Sequence, residues 1–138
     1  MGRVDVPFTA TNFEELSDFQ RGKSKKKPRS LKENALVDTG AVRFYLQSHL
    51  VKKLGLRPVD RMTSRTMSNR TEERIVYSPV RLEIQGRSSI FPVVEIPDGL
   101  PNIIGQIPLE DLDWVVDLKN RKLIANPEHT HGETADEF

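Results

Sequence analysis

The sequence contains no cysteine, and that absence alone removes a disulfide framework, a thiol nucleophile and cysteine-ligated zinc. It also has little net charge: 21 Lys and Arg against 20 Asp and Glu leave +1, so no whole-molecule field points to nucleic acid or to an anionic membrane. No apolar run approaches the roughly 20 residues of a membrane span. Met1 to Ala10 has no basic region leading into an apolar stretch. The expectation is a soluble, cytoplasmic chain with no membrane partner. In that setting the glycosylation triplet Asn69-Arg70-Thr71 has no consequence.

What is present fits one domain, because 138 residues is an ordinary domain length. A basic stretch at about 20–30 and the final stretch 127–138 are too polar to join a core, which leaves about 100 residues for one compact unit. The expected organisation is a domain over 1–126 with a flexible basic insertion, followed by a disordered acidic tail.

Hydrophobic alternation carries the secondary structure. Val4, Val6 and Phe8 alternate with Asp5, Pro7 and Thr9 as in a half-buried strand, with Pro7 suited to an edge. Val80, Leu82 and Ile84 repeat the pattern, and Gly86-Arg87 turns the chain into a second strand over Ser88 to Ile96. Ala35 to Val37, Phe44 to Leu46 and Ile103-Ile104-Gly105 read as short buried strands, and Trp114 to Asp117 pairs with Arg121 to Ala125 around Lys119-Asn120. Arg61 to Met67 and Arg70 to Tyr77 predict a protruding hairpin joined at Ser68-Asn69, where Asn69 suits a positive φ. Two or three short helices are predicted: from Ser48 through Leu54 with Gly55 as its stop, from Pro108 through Leu112, and, as the optional third, one behind a cap at Asn12 with Phe13, Leu16 and Phe19 every third residue. About seven short strands separated by turns predict an all-β barrel or sandwich.

The basic run Arg21 to Arg29 could hold phosphate without sequence preference, as clustered lysines do. No aromatic residue interleaves with its lysines to stack bases, so it reads as a solvated loop, and nucleic acid is not an expected partner.

Chemistry concentrates in Asp38-Thr39-Gly40-Ala41, which follows the apolar Ala35-Leu36-Val37 and precedes Ile103-Ile104-Gly105 by about sixty residues. A carboxylate at the buried end of a strand is costly unless its charge is shared or satisfied, so Asp38 asks for a partner. Gly40 and Ala41 leave room for another backbone or carboxylate, and the Thr39 hydroxyl can brace the loop.

The segments Ala35 to Ala41 and Ile103 to Gln106 resemble the retropepsin-like (clan AA) aspartic proteases, in particular the small single-lobe bacterial members. There the second motif is commonly followed by a Pro-Leu-Glu segment and an Asn-Pro ending, as in Ile107-Pro108-Leu109-Glu110 and Asn126-Pro127 here. The resemblance spans about Val4 to Asn126 and is interrupted by the basic insertion, where the family has a short connection. It implies a closed β-barrel or sandwich with one or two short helices, forming one protomer of a two-fold dimer. Asp38 would be the catalytic acid, Thr39 would bond across the two-fold axis, and Gly40, with Ala41 beside it, would line the cleft floor. Ile103, Ile104 and Gly105 would back the catalytic loop. Met67, Ser68 and Asn69 would form the flap, although that tip lacks the glycine often found there.

Stoichiometry then demands two copies. Two carboxylates sharing one proton must flank the attacking water, and the chain has one Asp-Thr-Gly. The implied partners are a second copy and a polypeptide substrate, with no cofactor and no metal. Asp113 and Asp117 could in principle pair with Asp38 inside one chain, but they read as polar positions of a hairpin. His49 reads as solvated at a helix start, and His129 and His131 as tail residues. A different class of function also fits: a catalytically silent binding or dimerisation module of the same fold, with the basic loop touching nucleic acid.

Overall fold

A computed structural model describes residues 3–65 and 69–129. Strands dominate: β1 (Asp5–Asn12), β2 (Ser30–Val37), β3 (Phe44–Gln47), β4 (Pro58–Arg65), β5 (Thr71–Ile84), β6 (Arg87–Ile96), β7 (Ile103–Ile104), β8 (Trp114–Asp117) and β9 (Lys122–Ala125). Helices α1 (Phe13–Gln20), α2 (Ser48–Lys53) and α3 (Gln106–Leu112) lie between them, three where the family resemblance implied one or two. Pro127–His129 forms a 3-10 turn at the start of the segment read as a tail; residues 130–138, His131 among them, lie outside the described residues.

Seven strands share one mixed sheet in the order β1-β2-β7-β3-β6-β5-β4, and β1 also pairs with β5. Hydrogen bonding therefore runs in a cycle through β1, β2, β7, β3, β6 and β5, with β4 attached outside it. The alternation of β1 explains its double role: Val4, Val6, Phe8 and Ala10 are buried on one face. Pro7 sits opposite Asn34 of β2, and β5 joins only from Thr9 onward, so the missing N–H falls where β1 has a single neighbour. Inside the cycle Phe8 meets Phe44 edge-on at 5.4 Å, and Leu82, Ile84 and Val93 are fully covered.

The Val80–Ile96 hairpin forms as its alternation predicts, but it turns at Gln85-Gly86 (φ 50° and 89°), and Arg87 already belongs to β6. β5 is longer than expected. It passes through Pro79, where a register shift between Tyr77 and Val80 absorbs the missing donor. Ser78 fastens this bulge: its N–H donates to the Arg57 carbonyl at 2.8 Å, and its Oγ accepts from the Arg57 N–H at 3.1 Å.

The helices obey their local chemistry with small offsets. The Asn12 side chain caps α1 by accepting from the Glu15 N–H at 3.1 Å, while its amide donates to the Leu54 carbonyl at 2.9 Å. Gln47 rather than Ser48 is the cap residue of α2, leaving the Ser48 hydroxyl to donate to Glu95 at 2.6 Å. Gly55 (φ 66°) follows that helix, and Pro108 is the third residue of α3 rather than the first.

Candidate active site

β2 ends at Val37 beside β7, to which it runs parallel: Leu36 lies opposite Ile103 and Val37 opposite Ile104. β7 also pairs antiparallel with β3, Phe44 opposite Ile104 and Tyr45 opposite Ile103. The chain thus leaves β2, makes the loop 38–43 and returns as β3 with β7 inserted between the two strands. Ile103 and Ile104 thus lie beside both strands that flank the loop.

Backbone hydrogen bonds fix the loop along its length. Asp38 N–H donates to the Ile104 carbonyl at 3.0 Å, and Ala41 N–H to the Asp38 carbonyl at 3.1 Å. From the other side Gly105, Gln106 and Ile107 donate to the carbonyls of Arg43, Ala41 and Val42 at 2.8, 2.9 and 2.9 Å. The Asp38 Oδ1 itself accepts from the Gly40 N–H at 2.9 Å, which ties the side chain to its own loop.

A residue absent from the sequence reading braces this frame. Asn102 is buried; its side-chain oxygen accepts from the Gln47 N–H at 2.8 Å and its amide donates to the Asn34 carbonyl at 3.2 Å. It thereby ties β2 to the end of β3 just ahead of β7. An asparagine directly before two branched apolar residues was the available signal, since a polar side chain so placed needs internal partners.

The expected burial of Asp38 is not found in the single chain. Asp38, Thr39 and Gly40 are exposed, because the loop projects beyond the last paired residue of β2. No described residue forms a hydrogen bond with the Thr39 hydroxyl. Asp38 stands at the edge of two depressions. A cleft of about 510 Å³ extends from it past Tyr45 and Ile103 to Met62, Thr63 and Arg74 on the β4–β5 arm. A second hollow of about 430 Å³ is walled by Val4, Leu36, Val37, Val116 and Leu118, the last of these 57 % exposed.

Of the expected flap, Met67 and Ser68 lie outside the described residues, whereas Asn69 has the expected positive φ of 63°. The arm leading to that tip contributes Met62, Thr63 and Arg74 to the cleft that holds Asp38.

The other carboxylates considered as partners are engaged locally. Asp113 adopts the left-handed conformation (φ 61°) that ends α3, with His129 Nδ1 at 2.7 Å and the Asn126 amide at 3.2 Å from its Oδ1. The His129 hydrogen bond holds its carboxyl below the usual range against a smaller opposing effect of burial, with help from Asn126. Asp117 accepts from the Asn120 side chain at 2.8 Å and its backbone at 3.2 Å, which lower it likewise. His49 is exposed, as read, and meets Asp98 at 2.8 Å on the surface. In the two depressions at Asp38 no second carboxylate appears among the described lining residues.

The basic insertion folds back on α1. Lys26, Lys27 and Arg29 share a hollow with Glu15 and Asp18, and the Arg29 hydrogen bonds draw the Glu15 carboxyl below its ordinary value. Among the described residues no group of three or more His, Asp or Glu is placed to hold a metal ion, and no helix is long and apolar enough to cross a membrane. No protein-family model matches the chain, and no curated protein matches it.

Proposed function

We propose that the chain is one protomer of a homodimeric, retropepsin-like aspartic endopeptidase in which the Asp38 carboxylates of two copies activate the attacking water. The observation that carries this reading is the Asp38 loop: one carboxylate on a loop pinned by β7 and facing outward at the edge of a cleft. The cyclic strand pairing supports a closed barrel of that family. A carboxylate that is exposed in one chain, beside an uncovered hollow of Leu36, Val37, Val116 and Leu118, suits a face that a second copy covers.

The chemistry follows from pairing the two carboxylates. At close range both cannot readily ionise, so the pair holds one proton. The ionised member takes a proton from water as its oxygen attacks the scissile carbonyl carbon, and the protonated member gives its proton to the carbonyl oxygen. Collapse of the tetrahedral intermediate breaks the C–N bond as the newly protonated carboxyl gives its proton to the leaving nitrogen and the other carboxylate takes one from a hydroxyl of the intermediate, so that the pair again holds one proton. An extended peptide in the cleft would be held by main-chain hydrogen bonds, with side-chain pockets selecting among sequences.

The test is cleavage of an unstructured peptide library by the purified chain, with and without a statine-type transition-state mimic, alongside Asp38→Asn. Cleavage that the mimic blocks and the variant lacks is expected. Equal rates for parent and variant would remove Asp38 from the reaction.

A further inference from the structure

The cleft that holds Asp38 also holds two arginines, and their circumstances differ. Arg74 is satisfied: its guanidinium reaches Glu72 at 2.6 Å. Arg43 is half-buried, and among the described residues none accepts a hydrogen bond from its guanidinium or forms an ion pair with it. A cleft arginine that meets no acceptor among the described residues is available to pair with a carboxylate on a bound ligand.

Its backbone is rigidly placed. The Arg43 carbonyl accepts from Gly105 at 2.8 Å, and the carbonyls of Ala41 and Val42 just before it are held in the same way. The guanidinium is therefore carried on the same fixed segment that presents Asp38. Around it the cleft is largely apolar, with Val42, Met62, Leu100 and Ile103. A planar fork of donors in such surroundings matches a carboxylate in bidentate fashion.

We infer that Arg43 is a specificity-determining residue of this cleft, selecting peptides with a Glu or Asp side chain near the scissile bond among apolar neighbours. The inference rests on the peptidase reading of the cleft and names its substrate class. The carboxylate of the bound peptide supplies the hydrogen-bonded counter-charge that none of the described residues gives, and neutral or basic side chains at that position do not supply it.

The experiment is a set of terminally blocked peptides in which the side chain is the sole carboxylate, with Glu, Gln or Lys scanned through each position flanking the cleaved bond. At one position kcat/KM for Glu should exceed that for Gln by about tenfold, as a charge-assisted bond implies, with Lys lower still. Arg43→Gln should bring the Glu-to-Gln ratio close to one, and Arg43→Lys should retain part of it. The parent's own ratio needs no variant, so a failure of Arg43→Gln to fold leaves the test intact. Cleavage with no Glu preference at any position, or a preference unchanged in Arg43→Gln, overturns the inference and leaves the peptidase reading standing. No cleavage of any peptide overturns that reading, and the inference with it.

Discussion

A β-carbon placed on Gly105 would stand 2.6 Å from the carbonyl oxygen of Arg43, the same oxygen to which the Gly105 N–H donates at 2.8 Å. The obstruction is backbone on both sides, since the Val42 and Ala41 carbonyl carbons would lie at 2.7 and 2.8 Å. Close approach, rather than an unusual φ, is what requires glycine here. Gly105→Ala should push the 41–43 segment away from β7 and destabilise the fold by about 1–3 kcal/mol, the usual cost of overpacking. Denaturant unfolding measures the loss. Peptide cleavage should fall further than stability does, because the displaced segment presents Asp38.

Activity should require the dimer and follow its concentration. Each chain brings one Asp-Thr-Gly, so specific activity should fall on dilution below the dimer Kd, as mass action demands of a site shared between subunits. Excess Asp38→Asn chains should poison the parent, because mixed pairs carry one carboxylate and one amide. Cleavage rate and sedimentation are measured on the same dilution series. Undiminished activity per chain in samples that sediment as monomer would place the catalytic pair within one chain.

Acid should loosen the contact between α3 and the C-terminal turn. The Asp113 carboxyl is held below its ordinary value by His129, so the folded chain binds that proton less tightly than the unfolded chain does. Its contribution is therefore present above about pH 4 and lost as pH falls through the depressed value. Asp113→Asn should lower Tm at neutral pH and narrow its gap from the parent as the solution is acidified. Removing residues 127–138 should have a similar effect, since it removes His129. A gap that does not change with pH would show that this carboxylate contributes nothing to acid sensitivity.

The basic insertion should divide into a dispensable part and an anchor. Replacing 22–27 by a short Gly-Ser linker should leave Tm unchanged, because every residue there is exposed or only partly covered. Arg29→Ala should lower Tm. Its guanidinium bonds both Glu15 oxygens and occupies the space beside Gly55 where a β-carbon would sit, and the substitution removes both contacts. Thermal melts of the two variants separate these outcomes.

Much of this fold was legible because its strands alternate. Val4, Val6 and Phe8, and Val80, Leu82 and Ile84, announce their buried faces in the sequence itself. The Asn12 cap and the positive φ of Asn69 were legible for a similar reason, as each depends on neighbouring backbone alone. Relations across long separations were hidden. Nothing local shows that β1 has a second neighbour in β5, that Asn102 spans Gln47 and Asn34, or that β5 continues through Pro79. At the site, the type and order of residues were readable, whereas the pairing of Ile103 and Ile104 with both β2 and β3 spans too much sequence to be read locally. The exposure of Asp38 was not readable either, because an apolar run before an acid does not reveal which side of the last strand residue the carboxylate leaves from.

The cyclic strand pairing also fixes an order of events. Ala10 meets Leu82, and Leu36 meets Ile103, so β1 and β2, which pair with each other, each wait for a second neighbour about seventy residues further along the chain. On a ribosome, Asp38 would leave the exit tunnel well before the two isoleucines that frame it. A nascent chain released before Ile103 would hold the acid without the frame. The proteolytic apparatus we propose would thus stay unassembled until Ile103 and Ile104 have been made and can pair with β2.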